Sequence, residues 1–211
     1  MKIYAILAIV IVALFVAGCA TAPIPSPTTI NNVVNTAKDV QQAAQSTETK
    51  PKVCTEAIGY QVLIDALPKT VNGFVGDTPQ GNMLTFTNPT DQTVMKYSTA
   101  SVNLVNADKN IEVSATDTCY IQYLSMAWSS YFESEGTDGY FKKTTISGFP
   151  GWHQYSKSGE SYSYNIFVSD RVIVTVQGSN GVADSDVTAA VNAINFASIS
   201  AAATAATAAA K

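Results

Sequence analysis

The chain has 211 residues, with 12 basic against 16 acidic side chains and a single histidine; only 13% of its residues are charged. That balance argues against a nucleic-acid surface and against a polybasic membrane patch, since both need clustered Lys and Arg. Hydrophobic residues make up 46% of the sequence. Once the terminal segments are set aside, about 150 residues remain, enough for one domain with its own core.

The N-terminus carries one charge, Lys2, followed by an uncharged apolar run from Ile3 to Ala17. The run has the length of a signal-peptide core, ~7–15 residues, and falls short of the ~20 that a membrane helix needs. It ends in Val16-Ala17-Gly18-Cys19. This ending resembles the lipobox of prokaryotic lipoproteins. The resemblance implies that residues 1–18 are a removed signal peptide and that Cys19 becomes the lipidated first residue. The protein would then be lipid-anchored on the extracytoplasmic side of the cell membrane. One acyl chain binds a bilayer only marginally, whereas two or more hold stably. An ordinary signal peptide, or a short anchor with an incidental Cys, is the alternative.

Residues 19–52 read as a lipidated N-terminus and tether. Pro23, Pro25 and Pro27 favour extended polyproline conformation. Ile30, Val33, Val34, Ala37, Val40 and Ala44 fall at helical spacing, but Asn31, Asn32 and Asn35 lower the propensity. The stretch 30–45 is therefore a weak helix or more tether. Cys54 and Cys119 are a candidate disulfide, as a Cys pair in an exported chain suggests, with two buried free thiols as the alternative. A metal site is not expected, because His153 stands alone and no Cys-x-x-Cys occurs. No cofactor motif is present either.

The domain is expected over 53–199. Thr55 can cap a helix running to Leu67, before Pro68. Residues 71–81 are turn-rich. Strands follow at Met83–Thr87, Thr93–Val105 and, past the turn Asn106–Asn110, at 111–116, where Ile111, Val113 and Ala115 alternate with polar residues. Asp117 or Thr118 can cap a second helix over 119–132, with Ile121, Leu124, Trp128 and Tyr131 as its apolar stripe. Glu133–Gly139 ends it as an acidic loop. Strands Tyr140–Ser147, Trp152–Ser156, Tyr162–Ser169 and Arg171–Gly178 come next, with Gly148-Phe149-Pro150-Gly151 as a turn. Asp184 or Ser185 caps a last helix whose apolar side holds Val187, Val191, Ile194 and Phe196 or Ala197. Residues 200–211 are an Ala-rich tail that either extends this helix or frays. The order predicts an α+β domain, an antiparallel sheet of about six or seven strands with helices packed on it.

Several fragments resemble the small exported PsbP-like domains. They are Leu67-Pro68 through Gly73-Phe74, the strand ending in Asp117-Thr118, the turn Gly148-Phe149-Pro150-Gly151, and Asp170-Arg171-Val172-Ile173-Val174-Thr175-Val176 before a C-terminal helix. The resemblance covers about residues 55–198 and implies an α/β/α sandwich in a non-catalytic binding or assembly role. A second resemblance is to lipoprotein-carrier folds, in which a curved sheet wraps an apolar cavity.

Three sets of residues are weighed for chemistry. His153 with Ser156, Ser158, Ser161 and Asp170 spells a Ser-His-Asp set on paper, without the Gly-x-Ser-x-Gly turn of a nucleophile elbow. Glu133, Glu135 and Asp138 could offer oxygens to Ca²⁺, but read more simply as a solvated turn. Tyr140, Phe141, Phe149, Trp152, Tyr155, Tyr162 and Tyr164 form an aromatic cluster, of which Tyr140, Phe149, Trp152 and Tyr155 are the candidate surface for a partner or a sugar, with Trp152 expected at a sheet rim; packing within the sheet is the competing reading. No enzyme is expected. The function anticipated is a membrane-anchored envelope lipoprotein that binds an unidentified protein partner or assists assembly. The alternative is a carrier of a lipid or small apolar ligand in a cavity between the sheet and helix 119–132, and a hydrolase using His153 is the third reading.

Overall fold

The structure, a computed structural model, describes residues 56–87, 94–118 and 133–209. These belong to one compact unit, Pro51–Lys211. The signal, the tether, the second predicted helix, and Cys19, Cys54 and Cys119 lie outside the described residues.

The described chain is α+β. Helix α1 (Tyr60–Ala66) leads into strands β1 (Thr70–Val71), β2 (Phe74–Gly76), β3 (Gln80–Thr87), β4 (Val94–Asn106) and β5 (Lys109–Asp117). Strands β6 (Ser134–Gly136), β7 (Gly139–Ile146), β8 (Phe149–Ser156), β9 (Ser161–Val168) and β10 (Val172–Ser179) follow, then helices α2 (Asp184–Asn192) and α3 (Phe196–Ala209). All ten strands form one antiparallel sheet, ordered β1-β2-β4-β5-β10-β9-β8-β7-β6, with β3 also on β4. Ten strands replace the six or seven expected. The turn-rich stretch 71–81 supplies two of the extra ones, because Asn72-Gly73 closes a two-residue hairpin with both φ positive, at 46° and 82°. The acidic loop supplies the third, as β6 pairs with β7.

Alternation decides which face is buried. Val102, Val113, Val176 and Tyr164 form one cross-strand row, and Ala100, Ala115, Val174 and Ile166 the next. These residues are at most 7% exposed and pack beneath Leu63 of α1, Val187 and Val191 of α2, and Ile199 of α3. Each fully buried Val or Ile contributes roughly 1.5–3 kcal/mol. Gly178 continues β10 where α2 comes closest; a Cβ there would sit 2.5 Å from Val187 Cγ2.

One charged pair lies in the same core. Arg171 and Asp117 side chains are both 0% exposed. Arg171 Nε and Nη2 donate to the two Asp117 carboxylate oxygens at 2.8 Å each. Arg171 Nη2 also donates to the Glu56 carbonyl, and Ile58 N–H donates to Asp117 Oδ2 at 2.7 Å. Ser98 Oγ closes the cluster on the Ile58 carbonyl. This clasp corrects the expected start of α1. Backbone groups at 56 and 58 are held by side chains of the sheet, so the helix begins at Tyr60, with Gly59 at its N-cap and no side-chain cap.

Two further boundaries differ from expectation. The turn at 148–151 is only Ser147-Gly148; Phe149, Pro150 and Gly151 already belong to β8. Pro150 is tolerated there because it pairs with Thr145 of β7, while the β9 pairing starts at Gly151. The last helix is two helices bent by 49°, because Asn195 Oδ1 caps Ser198 N–H at 3.0 Å and Asn195 N–H donates to the Ala66 carbonyl. The Ala-rich stretch continues α3 as far as Ala209, and Ile199 and Ala203, at 0% and 1% exposure, anchor it.

Candidate functional site

The strand registers bring five aromatic rings together on the helix side of the sheet. The Ser156↔Ser161 register of the β8–β9 hairpin sets Tyr155 opposite Tyr162 and His153 opposite Tyr164. The β7–β8 register adds Tyr140 beside Tyr155 and Lys142 beside His153. Two cross-strand rows result, Tyr140-Tyr155-Tyr162 and Lys142-His153-Tyr164. Their rings stack: Tyr155 on Tyr162 at 4.6 Å, and His153 on Tyr164 at 4.1 Å with 7° between planes. Tyr140 meets His153 edge-on at 5.1 Å. Lys142 Nζ lies 5.0 Å from the centre of the Tyr140 ring and 3.0 Å from Glu135. Such contacts contribute about 0.5–1.5 kcal/mol per aromatic pair beyond their burial.

The first turn of α2 meets this ladder. Asp184 Oδ1 accepts from His153 Nε2–H at 3.0 Å and from the Tyr164 hydroxyl at 3.4 Å. The Tyr164 oxygen also lies 3.0 Å from Thr188 Oγ1, and the Tyr140 hydroxyl lies 3.3 Å from His153 Nε2. Asp184 and Asp186 therefore serve other partners than the helix cap. Ala183 holds the N-cap position without a side-chain bond, and Asp186 accepts from Asn72 Nδ2 at 3.2 Å. Burial pushes the Tyr140 phenol up to about 12, with the Asp184 carboxylate adding to the shift. Burial raises Tyr164 as well, against the opposing hydrogen bond from Thr188. Both phenols stay neutral donors at neutral pH.

The four residues anticipated as a surface occupy three places. Tyr140 and Tyr155 stand together in the ladder, half-buried. Phe149 is at the other end of β8, against Phe196 at 6.1 Å, and lines an open groove of about 640 Å³ with Ile194 and Ser200. Trp152 is on the opposite face, 5% exposed and stacked on Phe141 at 4.4 Å, not at a rim. Its parity in β8 is opposite to that of His153 and Tyr155, and the start of β8 at Phe149 puts it inside the strand. Tyr162 and Tyr164, also members of the aromatic cluster, complete the ladder, and Lys142 and Asp184 are the members that sequence reasoning left out. Strand parity across the turn at Ser158-Gly159-Glu160 sets those two tyrosines on one face with Tyr155.

The other candidate sets come apart. His153 takes its carboxylate from Asp184 rather than Asp170, and Ser156 and Ser158 are within hydrogen-bond distance of each other at 3.2 Å. Glu133 accepts from Lys143 N–H at 2.8 Å and Glu135 pairs with Lys142. Among the described residues no three His, Cys, Asp or Glu side chains assemble as a metal site. Cys54 and Cys119, and any cavity bounded by helix 119–132, lie outside the described residues. Comparison with protein-family models, curated proteins and solved structures finds no match to the chain.

Proposed function

We propose that the chain is a membrane-anchored envelope lipoprotein whose domain is a non-enzymatic binding module, and that the tyrosine ladder is its partner-facing surface. The observation that carries this reading is the row Tyr140-Tyr155-Tyr162. These rings lie half-buried on the helix side of the sheet, while α1 packs on β3 and β4 and α2 on β9, β10 and β5. Tyr offers a large rigid contact area at low conformational-entropy cost and a hydroxyl for polar recognition, and it is enriched where binding energy concentrates. The lipid anchor rests on Cys19 and the segment before it.

The sandwich architecture belongs to the same reading. Helices α1–α3 cover one face of the sheet. On the other, Trp152 and Phe167 are withdrawn from solvent at 5% and 2% exposure. A second layer on that face would complete the α/β/α arrangement that a PsbP-like domain implies.

Two measurements test the proposal. Mass spectrometry of the mature N-terminus is expected to show an acylated Cys19, and a Cys19→Ser chain is expected to leave the membrane fraction. A photo-crosslinking residue placed at Tyr155 in intact cells is expected to capture a discrete partner, whereas the same residue at Gln177, exposed on the opposite face, is not. Equal capture at both positions, or none at either, would remove the ladder as the binding surface.

A further inference from the structure

The sheet has one open edge that nothing protects among the described residues. Proteins usually blunt exposed edges with charge, proline, bulges or very short strands. The β1 edge is two residues long. The β6 edge is three residues long and carries Glu135, with Glu133 and Asp138 beside it. Strand β3 has none of these devices. It runs eight residues, Gln-Gly-Asn-Met-Leu-Thr-Phe-Thr, with no charge and no proline, and among the described residues it pairs only with β4. Every residue of it except Gly81 is exposed. Met83, Leu84 and Phe86 are 41%, 48% and 52% exposed.

We infer that β3 is a homodimerisation strand, pairing antiparallel with β3 of a second copy. The occupant follows from the strand's own chemistry. A two-fold axis normal to the sheet sets residues of equal parity opposite each other, so each face stays continuous across the junction. Axes at Met83 and Leu84 give overlaps of equal length, residues 80–86 and 81–87; the one at Leu84 brings the apolar residues Leu84 and Phe86 closest to the centre. It sets Leu84 against its copy and Phe86 against Asn82, with each Phe86 reaching the opposing Leu84 diagonally. An uncharged strand incurs no like-charge penalty in pairing with itself. The cation opposite Thr85 on β4, Lys96, is matched by Glu56 at 3.2 Å. Seven residues per copy are fewer than the ~20–30 of a standard interface, so the dimer is weak and strongly concentration-dependent.

The test is sedimentation of the full chain in density-matched detergent, as wild type, as Leu84→Lys, as Leu84→Glu, and as a 1:1 mixture of the two. The wild type is expected to dimerise with rising concentration. Each variant alone places like charges on the axis and is expected to dimerise on the order of a hundredfold more weakly. The mixture is expected to regain dimer through a Lys–Glu pair, which a misfolded variant could not do. Hydrogen exchange of the wild type supplies a reading free of variants, with amides between Asn82 and Phe86 expected to gain protection as concentration rises. A wild type that stays monomeric to on the order of 1 mM overturns the inference, as do variants that dimerise like the wild type or a mixture that does not recover. Protection that appears only on adding phosphatidylglycerol vesicles would assign the edge to lipid and overturn it too.

Discussion

Removing the Asp117 carboxylate tests how the core is locked. Asp117→Ala leaves the Arg171 guanidinium, 0% exposed, without the two acceptors 2.8 Å away. It also leaves the Ile58 N–H without its acceptor at 2.7 Å. Breaking a buried pair from one side costs about 3–5 kcal/mol, because the stranded charge remains in low dielectric. A domain of this size loses roughly 2–4 °C of melting temperature per kcal/mol, so the expected drop is on the order of 10 °C by calorimetry. Replacing both partners, Asp117→Leu with Arg171→Met, removes the stranded charge and is expected to recover part of that loss. Amide exchange at Ile58 is expected to accelerate in the single variant, since its bond to Asp117 ties the chain before α1 to the sheet. A loss below about 1 kcal/mol would be that of a surface pair and would refute the clasp as a core element. A double variant no better than the single one would put the cost in packing, not in the charge.

Two other outcomes are expected. Gly139 has φ 143°, and a Cβ there would lie 2.1 Å from the Tyr155 carbonyl oxygen, which is backbone and cannot swing away. Gly139→Ala should therefore disrupt the β7–β8 pairing, read as lost chemical-shift dispersion for Tyr140 and Tyr155. The pH dependence follows from Tyr140. Its phenol ionises near 12 in the folded chain against about 10 when unfolded, so the unfolded state loses its proton first. The contribution of this group to stability is thus fully present below about pH 10, declines as pH rises, and is gone above about 12. Ultraviolet difference titration should show a tyrosine ionising near 12, and Tyr140→Phe should remove that step.

The sheet was most legible where alternation is strict. Ile111, Val113 and Ala115 of β5 and Val172, Val174 and Val176 of β10 announce both their strands and their buried face. Two features escaped because they depend on partners distant in the chain, and a third because a neighbouring turn was misplaced. Asp117 is 54 residues from Arg171, and no local pattern joins them, although a lone Arg heading an apolar strand is an anomaly that calls for a partner. The start of α1 depends on that same clasp, so the nearby capping residue misled. Trp152 reads as a rim residue only while Phe149-Pro150-Gly151 is taken for a turn; placing the turn at Ser147-Gly148 turns it inward. The ladder was half visible, since its rings are all in the sequence but which face each takes depends on hairpin register.

The two proposed surfaces are compatible in space, and that compatibility gives the weak edge pairing a purpose. Strand β3 and the ladder lie on opposite sides of β4, β5 and β10. A dimer through β3 would therefore carry its two ladders at the far ends of one continuous sheet, both on the same face because the two-fold axis is normal to it. Counting strands at ~4.8 Å each, the two β8 strands would be ~50 Å apart along the sheet. No single small ligand bridges that distance, whereas a repetitive or membrane-bound partner can. Binding at the second ladder would then be intramolecular, gaining apparent affinity without any new contact. Leu84→Lys, which leaves each ladder untouched, should accordingly weaken capture of a repetitive partner while leaving affinity for a monovalent fragment of it unchanged. Equal loss for both forms would mean that β3 touches the partner directly.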